Sequence, residues 1–240
     1  MPSLWQVVIA DLKSSRQIPA RERPAVDRAL RKAVARTLRI FGAHFRLVPQ
    51  LLKGDELQAV LRPDAPALAI LTYLRSQLIV GAGRKIDLRC GLGRGTIERL
   101  SSRGPFESEG EAFHRARAAL DLSRQRGSGR LTGWITGQGE FDEVADAVLG
   151  LADAFAVRWT LPQWEAVAGR LERKDLHAIA RERRVSFQSV SKRLRAASWA
   201  EVERAVGLLE ARAMPPRGPR SAAGRLHPRE GEARLSPSRS

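Results

Sequence analysis

The 240-residue chain has one cysteine, no long apolar run and few acids for its bases, and each shortage excludes something. Cys90 alone cannot form a disulfide within the chain, which fits a cytoplasmic protein. No apolar stretch approaches the roughly 20 residues that span a bilayer. The first apolar run, 7–10, has no charged stretch before it and is too short for a signal peptide, so no membrane partner is expected. Acids number 26 against 42 lysines and arginines, a formal net charge of +16 and a pI near 11.4. Such a chain seeks polyanions, nucleic acid before anionic membrane; an undirected solvated surface is the bland alternative. Hydrophobic residues make up 43%, enough for a core, and the length allows one or two domains.

What is present organises around residues 51–61. Lys53-Gly54 reads as the tip of a hairpin, since glycine takes the positive φ that a two-residue turn demands. Beyond the tip Asp55, Leu57, Ala59 and Leu61 point one way, and Glu56, Gln58 and Val60 the other. A second acid, Asp11, ends the apolar run Val7-Val8-Ile9-Ala10. An acid at the end of a buried strand is costly unless paired. Asp11 and Asp55 together would offer a site to a hard cation, Mg²⁺ or Mn²⁺. Glu56 is expected nearby but on the other face. The bland alternative is that Asp55 shapes the hairpin while Asp11 caps a helix or binds Arg16.

The elements between them read strand 5–11, helix 24–41, strand 45–52, strand 55–61, helix 65–80, strand 86–92. That is the order of a ferredoxin-like split βαβ, an α+β fold in which strand three fills the gap between strands one and two. Strand two falls outside, where Pro49 is tolerated. Ser14, Ser15 and Arg16, on the loop after Asp11, are candidates to hold phosphate oxygens; an ordinary polar connection is the simpler reading. Glycines alternate in Gly91-Leu92-Gly93-Arg94-Gly95 without the dinucleotide-binding spacing, so they predict close packing by another element. Helices follow from Glu109, with Phe113, Ala116 and Leu120 on one face and His114 at the surface or its boundary, and over 140–157, a connector or dimer surface. A short strand is expected at 131–136.

From 158 to 213 the spacing changes to that of a helical bundle. Thr160 and Gln163 form a capping box, with Pro162 in the first turn. Helix 175–183 turns Ile179 and Ala180 inward, and the next helix, capped by Ser186, turns Val190 and Leu194 inward. This is helix-turn-helix spacing. Arg184 stands where the turn favours glycine, at a cost of about 1 kcal/mol. The outward face offers Ser186, Gln188, Ser189, Ser191, Lys192 and Arg195 to bases and phosphates, so DNA is the expected partner. The competing reading is a solvated bundle face. Trp159, Trp164 and Trp199 are expected to staple the bundle. The basic stretch 214–240 is too poor in apolar residues to fold and is expected to be disordered.

Four segments in order, Ile9-Ala10-Asp11 with Ser15-Arg16, Gly54-Asp55-Glu56-Leu57-Gln58, Arg89-Cys90-Gly91-Leu92-Gly93 and Gly110-Glu111-Ala112-Phe113-His114-Arg115-Ala116-Arg117, resemble the SatD family of bacterial proteins over roughly 4–210. Leu57 replaces that family's usual aromatic. The resemblance implies a C-terminal helix-turn-helix and a role in transcription regulation. More distantly, 1–139 resembles the palm of class III nucleotidyl cyclases and diguanylate cyclases. There the acids matching Asp11 and Asp55 bind two divalent cations and a nucleoside triphosphate. The Asn and Arg of class III cyclases fall at His114 and Ala118, with Arg117 one place off. The expected organisation is a palm at 1–139, a connecting helix at 140–157, the helix-turn-helix unit at 158–213 and the tail at 214–240. The expected function is a DNA-binding regulator, expected to act as a homodimer, whose palm binds a nucleotide, a metal or both. The alternatives are a metal-dependent cyclase or nucleotidyltransferase and a pure interaction module.

Overall fold

Apolar residues on both faces of a strand demand a layer on each side, and that requirement shapes the palm. A computed structural model describes residues 4–52, 56–83, 86–125 and 129–213. Strands β1 (Trp5–Leu12), β2 (Phe45–Leu51), β3 (Glu56–Leu61), β4 (Leu88–Gly95) and β5 (Thr132–Ile135) form one sheet in the order β2-β3-β1-β4-β5. β1 is antiparallel to both β3 and β4, and β5 runs parallel to β4. The first four strands, with α1 (Arg23–Phe41) and α2 (Ala67–Ala82), make the split βαβ; β5 extends it. β2 is the edge, and its register slips between Leu47 and Gln50, around Pro49. The missing proline donor and this irregularity share one place.

Val8, Ala10 and Leu12 face α1 and α2, where Val26, Leu30, Leu68, Leu71 and Leu74 complete the main core. Val7 and Ile9 face the other way, onto Ala116 and Leu120 of α3 (Glu111–Arg124). The alternating glycines seat α3: a Cβ on Gly91 or Gly93 would overlap the carbonyl oxygens of Ala116 and Ala112. The helix backbone therefore lies directly on β4, and small alanines line its underside.

Residues 139–213 are mostly helical: α4 (Gly139–Ala156), α5 (Leu161–Leu171), α6 (Leu176–Arg183), α7 (Phe187–Ala196) and α8 (Trp199–Ala213). α4 packs on the palm, placing Ala145 and Leu149 in the main core and Phe141 edge-on to Trp134. Asp153 of α4 accepts from the Leu131 and Thr132 N–H groups at 2.8 and 2.7 Å and from Arg75 at 2.7 Å. Arg75 also grips Asp87 with both arms of its fork, at 2.8 and 2.9 Å. Burial works against the Arg75 charge, but Asp87 and Asp153 outweigh it and hold the guanidinium protonated. α8 returns to the palm: Leu209 and Ala213 enter the main core, and Glu210 accepts from the Leu68 and Ala69 N–H groups at the start of α2. The cysteine is buried, and burial raises its thiol pKa.

Candidate functional site

At the end of β1, Asp11 lies opposite Glu56 of β3 in the sheet register. Asp11 follows Val7 and Ile9 in the alternation, and Glu56 precedes Gln58 and Val60, so both acids fall on the α3 face. The expectation that Glu56 turns away from Asp11 is thus corrected by register. Asp55, with Lys53 and Gly54, lies outside the described residues.

Both acids are met by arginines from one stripe of α3. Arg117 makes a fork-to-fork pair with Glu56, at 2.7 and 2.6 Å. Arg124 reaches one oxygen of Asp11, Oδ2, at 3.0 and 2.7 Å, and also Asp121 at 2.9 Å. The Arg117 hydrogen bond holds the Glu56 carboxyl below its usual pKa, and the same bond raises Arg117. Burial works against Arg124, while its bond to Asp11 raises it. The other Asp11 oxygen, Oδ1, is buried and has no hydrogen-bond partner among the described residues. A buried carboxylate oxygen left bare is costly in a low-dielectric site, and a cation satisfies it. Among the described residues no group of three or more His, Cys, Asp or Glu can hold a metal ion.

The loop beyond β1 begins with Ser14 at φ 56°, a left-handed value uncommon outside glycine. Ser14 and Arg16 are exposed; Ser15 is half-buried, and its carbonyl accepts from Arg23 at 3.0 Å. Asp11 pairs with Arg124 rather than Arg16. His114 and Ala118 are exposed on α3, and of the positions considered from sequence it is Arg117 that reaches the acids. Arg124 was missed. Its only signal is the spacing of Arg117, Asp121 and Arg124 along one side of a helix.

In the C-terminal helices Ala166, Ile179, Ala180 and Val190 form a small core joining α5, α6 and α7. Arg184 adopts φ 52° and ψ 46° in the turn. Gln163 accepts from the Thr160 N–H at 2.7 Å, Asp175 caps α6, and Ser186 caps α7 while its hydroxyl meets that of Ser189 at 2.9 Å. Ser186, Gln188, Lys192 and Arg195 are exposed, and Ser189 and Ser191 half-buried. Lys192 and Arg195 form no ion pair among the described residues, whereas Arg193 turns back to Glu165. His177 stacks on the exposed ring of Phe187 at 4.6 Å, an aromatic pair not foreseen from sequence. Trp159 lies edge-on between Trp164 and Trp199, and its indole donates to the Ala197 carbonyl at 2.9 Å.

The model of the SatD family matches residues 5–203. No curated protein matches the chain. Among solved structures, a bacterial light-regulated adenylyl cyclase is similar at 14% identity and a TM-score of 0.40, covering 55% of this chain and 43% of that one. The chain thus spans less than half the length of that relative. The catalytic core of a rhodopsin-guanylyl cyclase with converted specificity, in complex with ATPαS, is similar at 15% identity and TM-score 0.40, with 50% and 72% covered. The guanylate cyclase domain of RhGC from Catenaria anguillulae, in complex with GTP, is similar at 17% and TM-score 0.38, with the same coverage.

Proposed function

Because the chain belongs to the SatD family, we propose that it is a DNA-binding regulatory protein whose palm binds a nucleotide together with Mg²⁺ or Mn²⁺. One observation carries the DNA half: α7 presents Gln188, Lys192 and Arg195 outward beside a tight turn. α6 and α7, with their shared core, make the helix-turn-helix unit of this reading. Lys192 contacts phosphate, while Gln188 and Arg195 reach base edges. The excess positive charge adds attraction that weakens with salt. In the palm, Asp11 and Asp55 hold the cation, and Ser14, Ser15, Arg16 and Glu56 complete the ligand site. The bare oxygen of Asp11 supports that role.

The partner is a DNA duplex bound by a homodimer, because one such unit reads only a few base pairs and paired half-sites lie about 34–36 Å apart. Val144, Leu151 and Phe155, exposed along α4, support a dimer surface there. Among the described residues no helix is long and apolar enough to cross a membrane.

Gel shift of labelled duplexes against salt tests the DNA reading. Lys192→Ala should weaken all sequences alike, and Gln188→Ala should cost about 1–3 kcal/mol at preferred sites only. DNA binding that survives deletion of 186–197 would overturn it. A second reading, a metal-dependent nucleotidyl cyclase or nucleotidyltransferase, is favoured by the Asp11 and Arg117 geometry. Product from a nucleoside triphosphate with Mg²⁺ or Mn²⁺ would establish that reading; a thermal shift without product supports the regulator.

A further inference from the structure

We propose that Arg117 and Arg124 are the phosphate-binding residues of the palm, held by Glu56 and Asp11 until a divalent cation takes over the carboxylates. This rests on the nucleotide–metal reading above and supplies its working parts. In the described state two acids and two guanidiniums are paired with one another between the sheet and α3. The exchange is a partner swap in which no covalent bond forms or breaks. The cation takes the negative charges of the carboxylates, and the two freed positive charges take phosphate oxygens.

Three observations point to exchange rather than to permanent struts. The arginines are the more open partners: Arg117 and Arg124 side chains are 39% and 37% exposed, against 23% and 17% for Glu56 and Asp11. The arginines are thus the partners that solvent, and a ligand from it, reaches more readily. The pairing is also incomplete, because Oδ1 of Asp11 is buried with no hydrogen-bond partner among the described residues, while Arg124 spends its third contact on Asp121. Finally, α3 is seated on the sheet at Gly91 and Gly93, so the guanidiniums can swing on their own side chains while the helix stays in place. An arginine fork that fits a carboxylate with both arms fits a phosphate equally well.

The consequence is coupling. Metal alone must strip the acids from their arginines, and triphosphate alone must strip the arginines from their acids. Together each ligand removes the other's cost, so each raises the other's affinity by one shared factor.

The test uses the full chain with Mn²⁺ followed by electron paramagnetic resonance and a fluorescent nucleoside triphosphate followed by anisotropy, each alone and together. Wild type should show a shared coupling factor of about tenfold or more. In Arg117→Gln/Arg124→Gln, Mn²⁺ alone should bind as tightly as in wild type or tighter. Triphosphate with Mn²⁺ should bind about tenfold more weakly, and the coupling factor should fall toward one. Arg99→Gln, which breaks an exposed pair with Glu109 elsewhere, should change none of these. If the double variant does not fold, Arg117→Lys keeps the charge, loses the fork and should show the same split more weakly. Variants that lose Mn²⁺ and triphosphate alike, or neither, make the arginines struts and sink this inference while leaving nucleotide binding intact. A wild-type protein that takes up neither probe removes the nucleotide reading itself, and this inference with it.

Discussion

Glu210 should make the protein less stable as the pH rises from about 4.5 to 7. Its carboxyl lies on α8 against the start of α2, where burial pushes its pKa from 4.5 up to about 7. The Leu68 and Ala69 N–H groups, at 2.7 and 3.3 Å, pull the other way without matching the loss of water. The folded protein therefore holds a proton that the unfolded chain has released. Between the two pKa values folding binds more protons than unfolding, so stability declines with pH there and levels off above about 7. The gap between 4.5 and about 7 corresponds to about 3 kcal/mol from this one group. Glu210→Gln keeps an acceptor for Leu68 and removes the ionisation. Urea melts followed by tryptophan fluorescence should find the variant more stable at pH 8 by up to about 3 kcal/mol, and thermal melts should show a rise in Tm of about 6–12 °C. At pH 4.5 the two should be nearly equal. Stability curves for wild type and variant that run parallel from pH 4.5 to 8 would refute the reasoning.

Other perturbations test the packing. Gly93→Ala should cost about 1–3 kcal/mol in chemical melts, because the new methyl meets the backbone of α3 rather than a side chain that can move. Arg75→Met should cost about 3–5 kcal/mol by the same assay, since Asp87 and Asp153 would be left buried without their shared cation. Arg184→Gly should stabilise by about 1 kcal/mol, relieving a left-handed backbone at the turn between α6 and α7; a loss of stability would mean that the Arg184 side chain outweighs the strain.

The palm was legible in the sequence because its signals are local. Alternation in 7–10 and 57–61, the hairpin spacing and Pro49 are read within one strand, and they sufficed to order the first four strands. The same holds for Ser186 as a cap and for Ile179, Ala180 and Val190 as an inward face. The placement of Glu56 failed for a physical reason. Alternation tells which residues of β3 share a face, but only the register of β3 on β1 tells which of them face Asp11. The arginine partners were illegible for a related reason. Arg117 is 61 residues from Glu56, and Arg124 is 113 from Asp11. Nothing in an exposed-looking helical stripe says which strand end it will overhang. The glycines of β4 predicted a close neighbour but not that α3 would be it. Glu210 carried no signal at all, being one acid among several on an ordinary amphipathic helix.

Those same contacts constrain how the palm and the C-terminal helices can influence each other. α2 belongs to both. Leu68, Leu71, Leu74 and Leu78 of α2 lie in the palm core, while Ile79 and Val80 pack with Trp159 and Trp164. Its Tyr73 hydroxyl donates to Glu172, just past α5, at 2.6 Å, and its Arg75 lies over the Trp164 ring at 5.7 Å. A helix apolar on nearly every side is buried on nearly every side, and 67–82 is such a sequence. The route onward is short: the Trp159 indole is bonded to the Ala197 carbonyl, which caps the end of α7. A swinging of two bodies about a connector would have to break the Glu210 and Tyr73 bonds together. A ligand in the palm that alters α7 must therefore act by shifting packing along α2 and Trp159. That shift needs only a small displacement, because tightly packed interiors transmit strain rather than absorb it.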